Sequence, residues 1–240
     1  MREDQAMGLR RLFGAADPLT IGVVGHASST LAIDLAFALA RQQHRVLILD
    51  GGRTELTRAL GVRARFDLLQ VLHGDRPLSA ALLPVADDIA VLPARRALEA
   101  LQARDVDATR AWRQFASSLR GYDMRVCHGA PWGLADDAQW LLALAPTATS
   151  ITAAYARLKE LARHGRRGRC RVLIDRARTE RAALDAFASV SATAHRFLGI
   201  ELELCGAIVD AERTRRRAGA CDRLARSLAE PAPVQRAVNL

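Results

Sequence analysis

The residues able to do chemistry gather where apolar runs stop. The turn Val24-Gly25-His26-Ala27-Ser28-Ser29-Thr30 follows one such run and opens a periodic segment. A strand, a glycine and then hydroxyl residues at a helix start is the position of a phosphate loop. The first N–H groups of a helix and its dipole favour an anion there. The Walker pattern G-x-x-x-x-G-K-[ST] is absent: this turn has one glycine and no lysine, and it is too short to wrap a phosphate chain. No arginine stands in the turn either, and its planar fork would not replace the compact ammonium. Gly25, Ser28, Ser29 and Thr30 therefore offer at most a weak anion site. The competing reading is a capped helix start with no ligand.

Two further strand ends carry polar residues. In Leu49-Asp50-Gly51-Gly52-Arg53 a carboxylate could hold Mg²⁺ or activate a water, but Asp50 has no second carboxylate in its turn. In Arg125-Val126-Cys127-His128-Gly129 the imidazole of His128 could act as a base, although a lone histidine is more often a satisfied loop residue. Spacing alone supports neither a Ser–His–Asp set nor a carboxylate pair. The four cysteines, Cys127, Cys170, Cys205 and Cys221, include no C-x-x-C, so neither zinc nor a redox motif is indicated. Three of them lie in or beside apolar runs and read as small core residues in a reducing compartment. No catalytic residue, metal ligand or cofactor set follows from these patterns.

The elements that would position these residues alternate. Apolar runs at 20–24, 45–49, 89–92, 124–127, 139–145, 169–175 and 203–209 read as strands. Periodic stretches at 29–41, 53–60, 66–73, 96–120, 150–164, 180–197 and 212–229 read as helices. Fully apolar strands between amphipathic helices predict an α/β fold with a mostly parallel sheet covered on both faces. No internal repeat is visible.

Composition agrees. The chain has 240 residues, half hydrophobic and a quarter charged, with Gly 16 and Pro 8, which excludes disordered and collagenous classes. Lys plus Arg is 35 and Asp plus Glu is 26, a net charge of +9, and Lys159 is the only lysine. Such a charge suits an acidic protein, anionic lipid or nucleic acid. It also suits a composition that uses arginine wherever lysine would serve, since the arginines are spread along the chain. Neither a signal-like apolar stretch nor a run of about 18 apolar residues occurs, so a cytoplasmic protein is expected.

Residues 3–13 read as a short amphipathic helix with Ala6, Leu9, Leu12 and Phe13 on one face. Residues 14–18 (GAADP) break the pattern as a linker. A helix this short is marginal alone and must dock, on its own domain or on a partner. The expected organisation is a partner-binding helix and linker over 1–17 and an α/β domain over 18–240.

Several stretches together resemble the flagellar MinD-type ATPases (the FlhG/FleN/YlxH family) of the ParA/MinD group of deviant-Walker P-loop proteins. Asp4-Gln5-Ala6-x-x-Leu9-Arg10 looks like the family's D-Q-A-x-x-L-R motif. Ser29 to Ala40, and His44 to Asp50, resemble its first helix and second strand. Residues 57–82 are similar to the segment after switch I. Gly121-Tyr122-Asp123 and Gly133-Leu134-Ala135-Asp136-Asp137 bracket switch II, and residues 146–159 (PTATSITAAYARLK) resemble a P-x-x-x-S-x-x-x-A-Y helix start. Residues 180–200 fit more loosely.

The departures concentrate in the nucleotide site. Family members carry a K-G-G-V-G-K-[ST] loop, which is shortened here, with Ser28 nearest the second lysine. The signature lysine has no counterpart. The switch I aspartate falls at Gly52, the switch II aspartate near His128, and the adenine-contacting asparagine at Asp175. The helix after Asp137 is expected to be shorter than in the family. The resemblance thus implies a MinD/ParA-like P-loop scaffold that has lost ATP chemistry and works without a cofactor. It regulates flagellar number or placement through protein contacts. Asp4, Gln5, Ala6, Leu9 and Arg10 would bind and stimulate an SRP-type flagellar GTPase (FlhF-like). A flagellar transcription regulator or switch protein is a further implied partner. Nucleic acid is not expected as a partner, a peripheral position at the cell pole is an option, and contact with anionic membrane would be weak. The alternatives are a divergent ATPase with weak nucleotide binding and a basic nucleic-acid-binding ParA relative.

Overall fold

The computed structural model describes residues 18–53, 55–119, 121–129, 138–164, 170–209 and 213–229, with the backbone alone at 55 and 213–217. The expected helix at 3–13 and its linker up to residue 17 lie outside the described residues.

Eight strands form one sheet in the order β3-β4-β2-β5-β1-β6-β7-β8. These are β1 (Leu19–Gly25), β2 (Val46–Asp50), β3 (Leu83–Ala86), β4 (Ile89–Pro93), β5 (Met124–His128), β6 (Gln139–Leu144), β7 (Cys170–Ala177) and β8 (Leu202–Val209). Every neighbouring pair is parallel except β3 with β4. The expected α/β class and largely parallel sheet are therefore present.

Alternation of side chains along each strand divides the core into two faces. On one face Ile21, Val23, Val46, Ile48, Leu141 and Ala143 pack with α1 (Ser28–Arg41). Helix α9 (Arg213–Ala229) packs there too, through Ala220, Cys221, Leu224, Ala225 and Leu228. On the other face Trp140, Leu142, Leu144 and Val172 meet α7 (Ala148–Arg163) and α8 (Glu180–Leu198). Beside them Leu47, Leu49, Leu92 and Cys127 are covered by a cluster of short helices. This cluster takes in α3 (Leu68–Leu72), α4 (Leu78–Ala81), α5 (Arg95–Gln102) and α6 (Val106–Phe115). Helix α2 (Glu55–Ala59) follows β2 and sends Leu56 to the α1 face.

Three expectations need correction. The helix expected over 96–120 is interrupted. Helix α5 ends at Gln102, Arg104 adopts φ 58, and Asp105 caps α6 by accepting from Ala108 N at 2.8 Å. A left-handed residue followed by an aspartate cap ends one helix and starts the next. No helix follows Asp137: residue 138 is irregular and β6 begins at Gln139. Sequence patterning also misses α4 and the antiparallel β3, whose four residues include Pro84. Proline is tolerated because β3 lies at the end of the sheet, where a missing N–H leaves no partner strand unpaired.

Candidate functional site

In a parallel sheet the ligand crevice lies at the carboxyl ends of the strands. Three turns meet there: the one leaving β1, the one leaving β2 and the one leaving β5.

Only His26 and Ala27 separate β1 from α1. Gly25 has φ +99, and a Cβ at this residue would stand 2.2 Å from the carbonyl oxygen of Ala143 on β6. His26 N donates to that same oxygen at 2.8 Å, pinning the turn to the neighbouring strand. Ala27, the N-cap residue, is left-handed at φ 48 and offers no side-chain cap. The expected capped start is thus corrected: Ser28 is already the first helical residue, and neither it nor Ser29 or Thr30 occupies the cap. The caps of α3, α7 and α8 show the contrast, with Asp67, Thr147 and Thr179 accepting from backbone N–H groups. His26 Nε2 is buried with no hydrogen-bond partner among the described residues.

The second and third turns form one unit. Asp50 and His128 end adjacent strands β2 and β5 and stand opposite each other in register. Their side chains meet at 3.0 Å, Oδ1 to Nδ1, and both are buried. Gly52 N donates to the same Oδ1 at 2.9 Å, and Gly51 N donates to the His128 carbonyl at 2.9 Å. In the sequence Asp50 and His128 stand 78 residues apart and each looks solitary; parallel pairing brings them together. A Cβ on Gly52 would lie 2.6 Å from His128 Cε1 and 3.0 Å from its Nδ1. The imidazole fills the room that a side chain at residue 52 would take.

Asp175 is buried within β7 rather than at its end, where the pairing with β8 shifts register. Its Oδ1 accepts from Arg176 N at 3.0 Å, and Arg176 is left-handed at φ 57. Asp4, Gln5, Ala6, Leu9 and Arg10 lie outside the described residues.

Sequence reading missed a cleft of about 840 Å³ beside the Asp50–His128 pair. Six arginines line it: Arg53, Arg58, Arg63, Arg65, Arg95 and Arg96. They belong to the β2–α2 turn, α2, the α2–α3 segment and the start of α5, so only the fold collects them. The turn leaving β1 takes no part in its lining.

The thiols are shielded. Burial pushes Cys127, Cys170 and Cys205 up to about 12, against a weaker opposing pull from Arg125 on Cys127 and from Arg171 on Cys205. All four cysteines are free; Cys127, Cys170 and Cys221 are buried, and Cys205 is partly buried. No group of three His, Cys, Asp or Glu that could hold a metal occurs among the described residues. No described helix is long and apolar enough to cross a membrane.

No family model matches the chain. The antiactivator FleN of Pseudomonas aeruginosa is 27% identical over 209 residues, covering 82% of this chain and 74% of FleN. Among solved structures, the MinC:MinD complex of Aquifex aeolicus superposes with a TM-score of 0.63 at 22% identity, covering 91% of this chain and 98% of that one. A plasmid partition protein of Borrelia burgdorferi reaches a TM-score of 0.65 at 15% identity, covering 89% of this chain and 99% of that one. In sequence the chain is thus similar to the antiactivator FleN, and its fold is the mostly parallel, P-loop-type α/β fold of the MinD and plasmid-partition structures.

Proposed function

We propose that this chain is a non-catalytic regulator of flagellar assembly, controlling flagellar number or placement through protein–protein contacts. The observation that carries the reading is the two-residue turn between β1 and α1 in an otherwise MinD/ParA-like chain. A triphosphate needs a loop of N–H groups wrapped around it and a cation at its end. Here the turn is held against Ala143 and carries no lysine or arginine. At Gly52 the His128 ring stands where a switch carboxylate would reach. Both features speak against ATP at this site, while the sheet and its helices pack independently of it. The relative's name, antiactivator, suits a role exercised on another regulator.

The contacts would be made by the N-terminal motif. Leu9 anchors in a groove, Asp4, Gln5 and Arg10 give directional polar contacts, and Ala6 permits close approach. The partner is an SRP-type flagellar GTPase (FlhF-like), whose hydrolysis the motif stimulates, with a flagellar transcription regulator or switch protein as a second class. The site of action is the cytoplasm, extending to the cell pole. Calorimetry with Mg²⁺ and ATP or ADP is expected to give no binding heat, and micromolar affinity would sink the non-catalytic part. A peptide of residues 1–17 is expected to raise the partner's GTP hydrolysis, and Gln5→Ala or Arg10→Ala to abolish the full-length effect. If neither holds, the motif has no such role.

A second reading, a divergent ATPase, draws on the Asp50–His128 pair, since a carboxylate beside an imidazole is a general-base arrangement. Phosphate release from ATP that disappears in His128→Ala would favour it.

A further inference from the structure

The arginine-lined cleft remains outside the reading above, which rests on the β1–α1 turn and the N-terminal motif. We propose that the cleft, at the carboxyl ends of β2 and β4, is a docking site for a carboxylate-rich segment of a partner protein. The charge in it is unbalanced. Of its two lining carboxylates, Asp50 is held by Gly52 N and His128. Asp67 caps α3 through Leu69 N at 2.8 Å and pairs with Arg96 at 3.8 Å. Arg96 also donates to Gln70, and Arg95 pairs with Glu99 at 2.9 Å. Arg53, Arg58, Arg63 and Arg65 pair with no carboxylate among the described side chains, and all four are exposed.

The arrangement selects the ligand class. A guanidinium presents a fork that matches a carboxylate in two hydrogen bonds, so several forks on separate segments suit several carboxylates along one chain. A nucleotide finds less. Phe66 is the one aromatic side chain in the lining, and the Arg76 guanidinium lies over its ring, 4.9 Å from the centroid, where a base would stack. The segment from Gly61 to Asp67 is irregular, and Gly61, at φ +68, faces open space instead of closing a loop over a phosphate.

The test uses the full-length protein and a fluorescent oligoglutamate peptide read by anisotropy. Oligoglutamine, inorganic tripolyphosphate, ATP and a short DNA duplex are run beside it. Oligoglutamate is expected to bind and oligoglutamine not. The pairs Arg63→Glu with Arg65→Glu, and Arg53→Glu with Arg58→Glu, should each weaken binding about tenfold or more. The pair Arg113→Glu with Arg196→Glu makes the same charge change outside the cleft and should weaken it by less than about twofold. Equal loss in the outer pair overturns the proposal, because net charge then explains the binding. Tighter, cleft-dependent binding of tripolyphosphate, ATP or duplex also overturns it. Thermal melts check folding, and Arg→Gln pairs replace any charge-reversed variant that fails to fold. These outcomes do not depend on whether ATP binds at the β1–α1 turn or whether residues 1–17 stimulate a GTPase.

Discussion

His128 fills the space that a side chain at residue 52 would need. With its imidazole against the Gly52 Cα and its Nδ1 on Asp50, His128 leaves no space for a methyl group at residue 52. Gly52→Ala is therefore expected to destabilise the domain by about 1–3 kcal/mol. In a His128→Ala background the same change should cost less, with a coupling of at least about 1 kcal/mol in a double-mutant cycle by urea denaturation. Additive effects would show that the ring is not what excludes the side chain. His128→Ala alone also leaves the buried Asp50 carboxylate without its imidazole and should itself be costly. Both residues are legible in the sequence but their meeting is not, because nothing local in either turn refers to the other.

Helix starts and helix faces decide how the elements behave. Helix α1 begins on a left-handed alanine without a side-chain cap. A left-handed non-glycine residue is strained by roughly 1 kcal/mol. Glycine carries no such strain and is accepted at an N-cap. Ala27→Gly is thus expected to raise the urea midpoint, with a gain of up to about 1 kcal/mol, and an unchanged or lowered midpoint would contradict the strain. Gly25→Ala should have the opposite sign and be larger, about 2–4 kcal/mol, since its methyl group would meet the Ala143 carbonyl while φ stays positive. At the other end of the chain, α9 carries arginines that suggest anionic lipid. Its apolar residues Leu224 and Leu228 are already buried against α1 and the sheet. Arg41 of α1 also pairs with Asp222 of α9 at 2.6 Å, and Gln42 donates to the Asp222 carbonyl. A membrane-inserting helix needs a free apolar face. Flotation with anionic vesicles is therefore expected to recover the protein weakly at low salt and lose it at physiological salt, whereas salt-resistant recovery would mean that α9 leaves the sheet.

The molecule as a whole packs a two-faced core on one sheet, and its thiols report on that core. Cys127, Cys170 and Cys205 are held as thiols up to about 12, from an ordinary value of 9.0, chiefly because burial disfavours the thiolate. Between those values the unfolded chain has released protons that the folded chain still binds. Stability from this source is complete below the unfolded value and falls as pH rises above it, by about 1.4 kcal/mol per pH unit for each thiol. Urea unfolding under reducing conditions should therefore show a falling midpoint through this alkaline range. Cys127→Ala and Cys170→Ala should flatten the fall, and a slope unchanged by both substitutions would assign it to other groups. The same burial predicts slow alkylation of these thiols by iodoacetamide in the folded state and rapid alkylation in urea.

What the sequence determined by itself was the layered architecture and the chain's likeness to FleN. Alternation and helical periodicity are local, repeated many times, and set by which residues must leave water, so the order of strands and helices and the two-sided covering of a parallel sheet could be read directly. The missing lysines and the short turn after β1 were legible for the same reason, being properties of one contiguous segment. The short edge strand β3 was not, because its pairing with β4, rather than its own four residues, makes it a strand. Nor was the Asp50–His128 pair, or the convergence of Arg53, Arg58, Arg63, Arg65, Arg95 and Arg96 on one cleft. Those depend on which strand ends lie side by side, and parallel crossovers place residues tens of positions apart within hydrogen-bond reach while leaving no local trace in the chain.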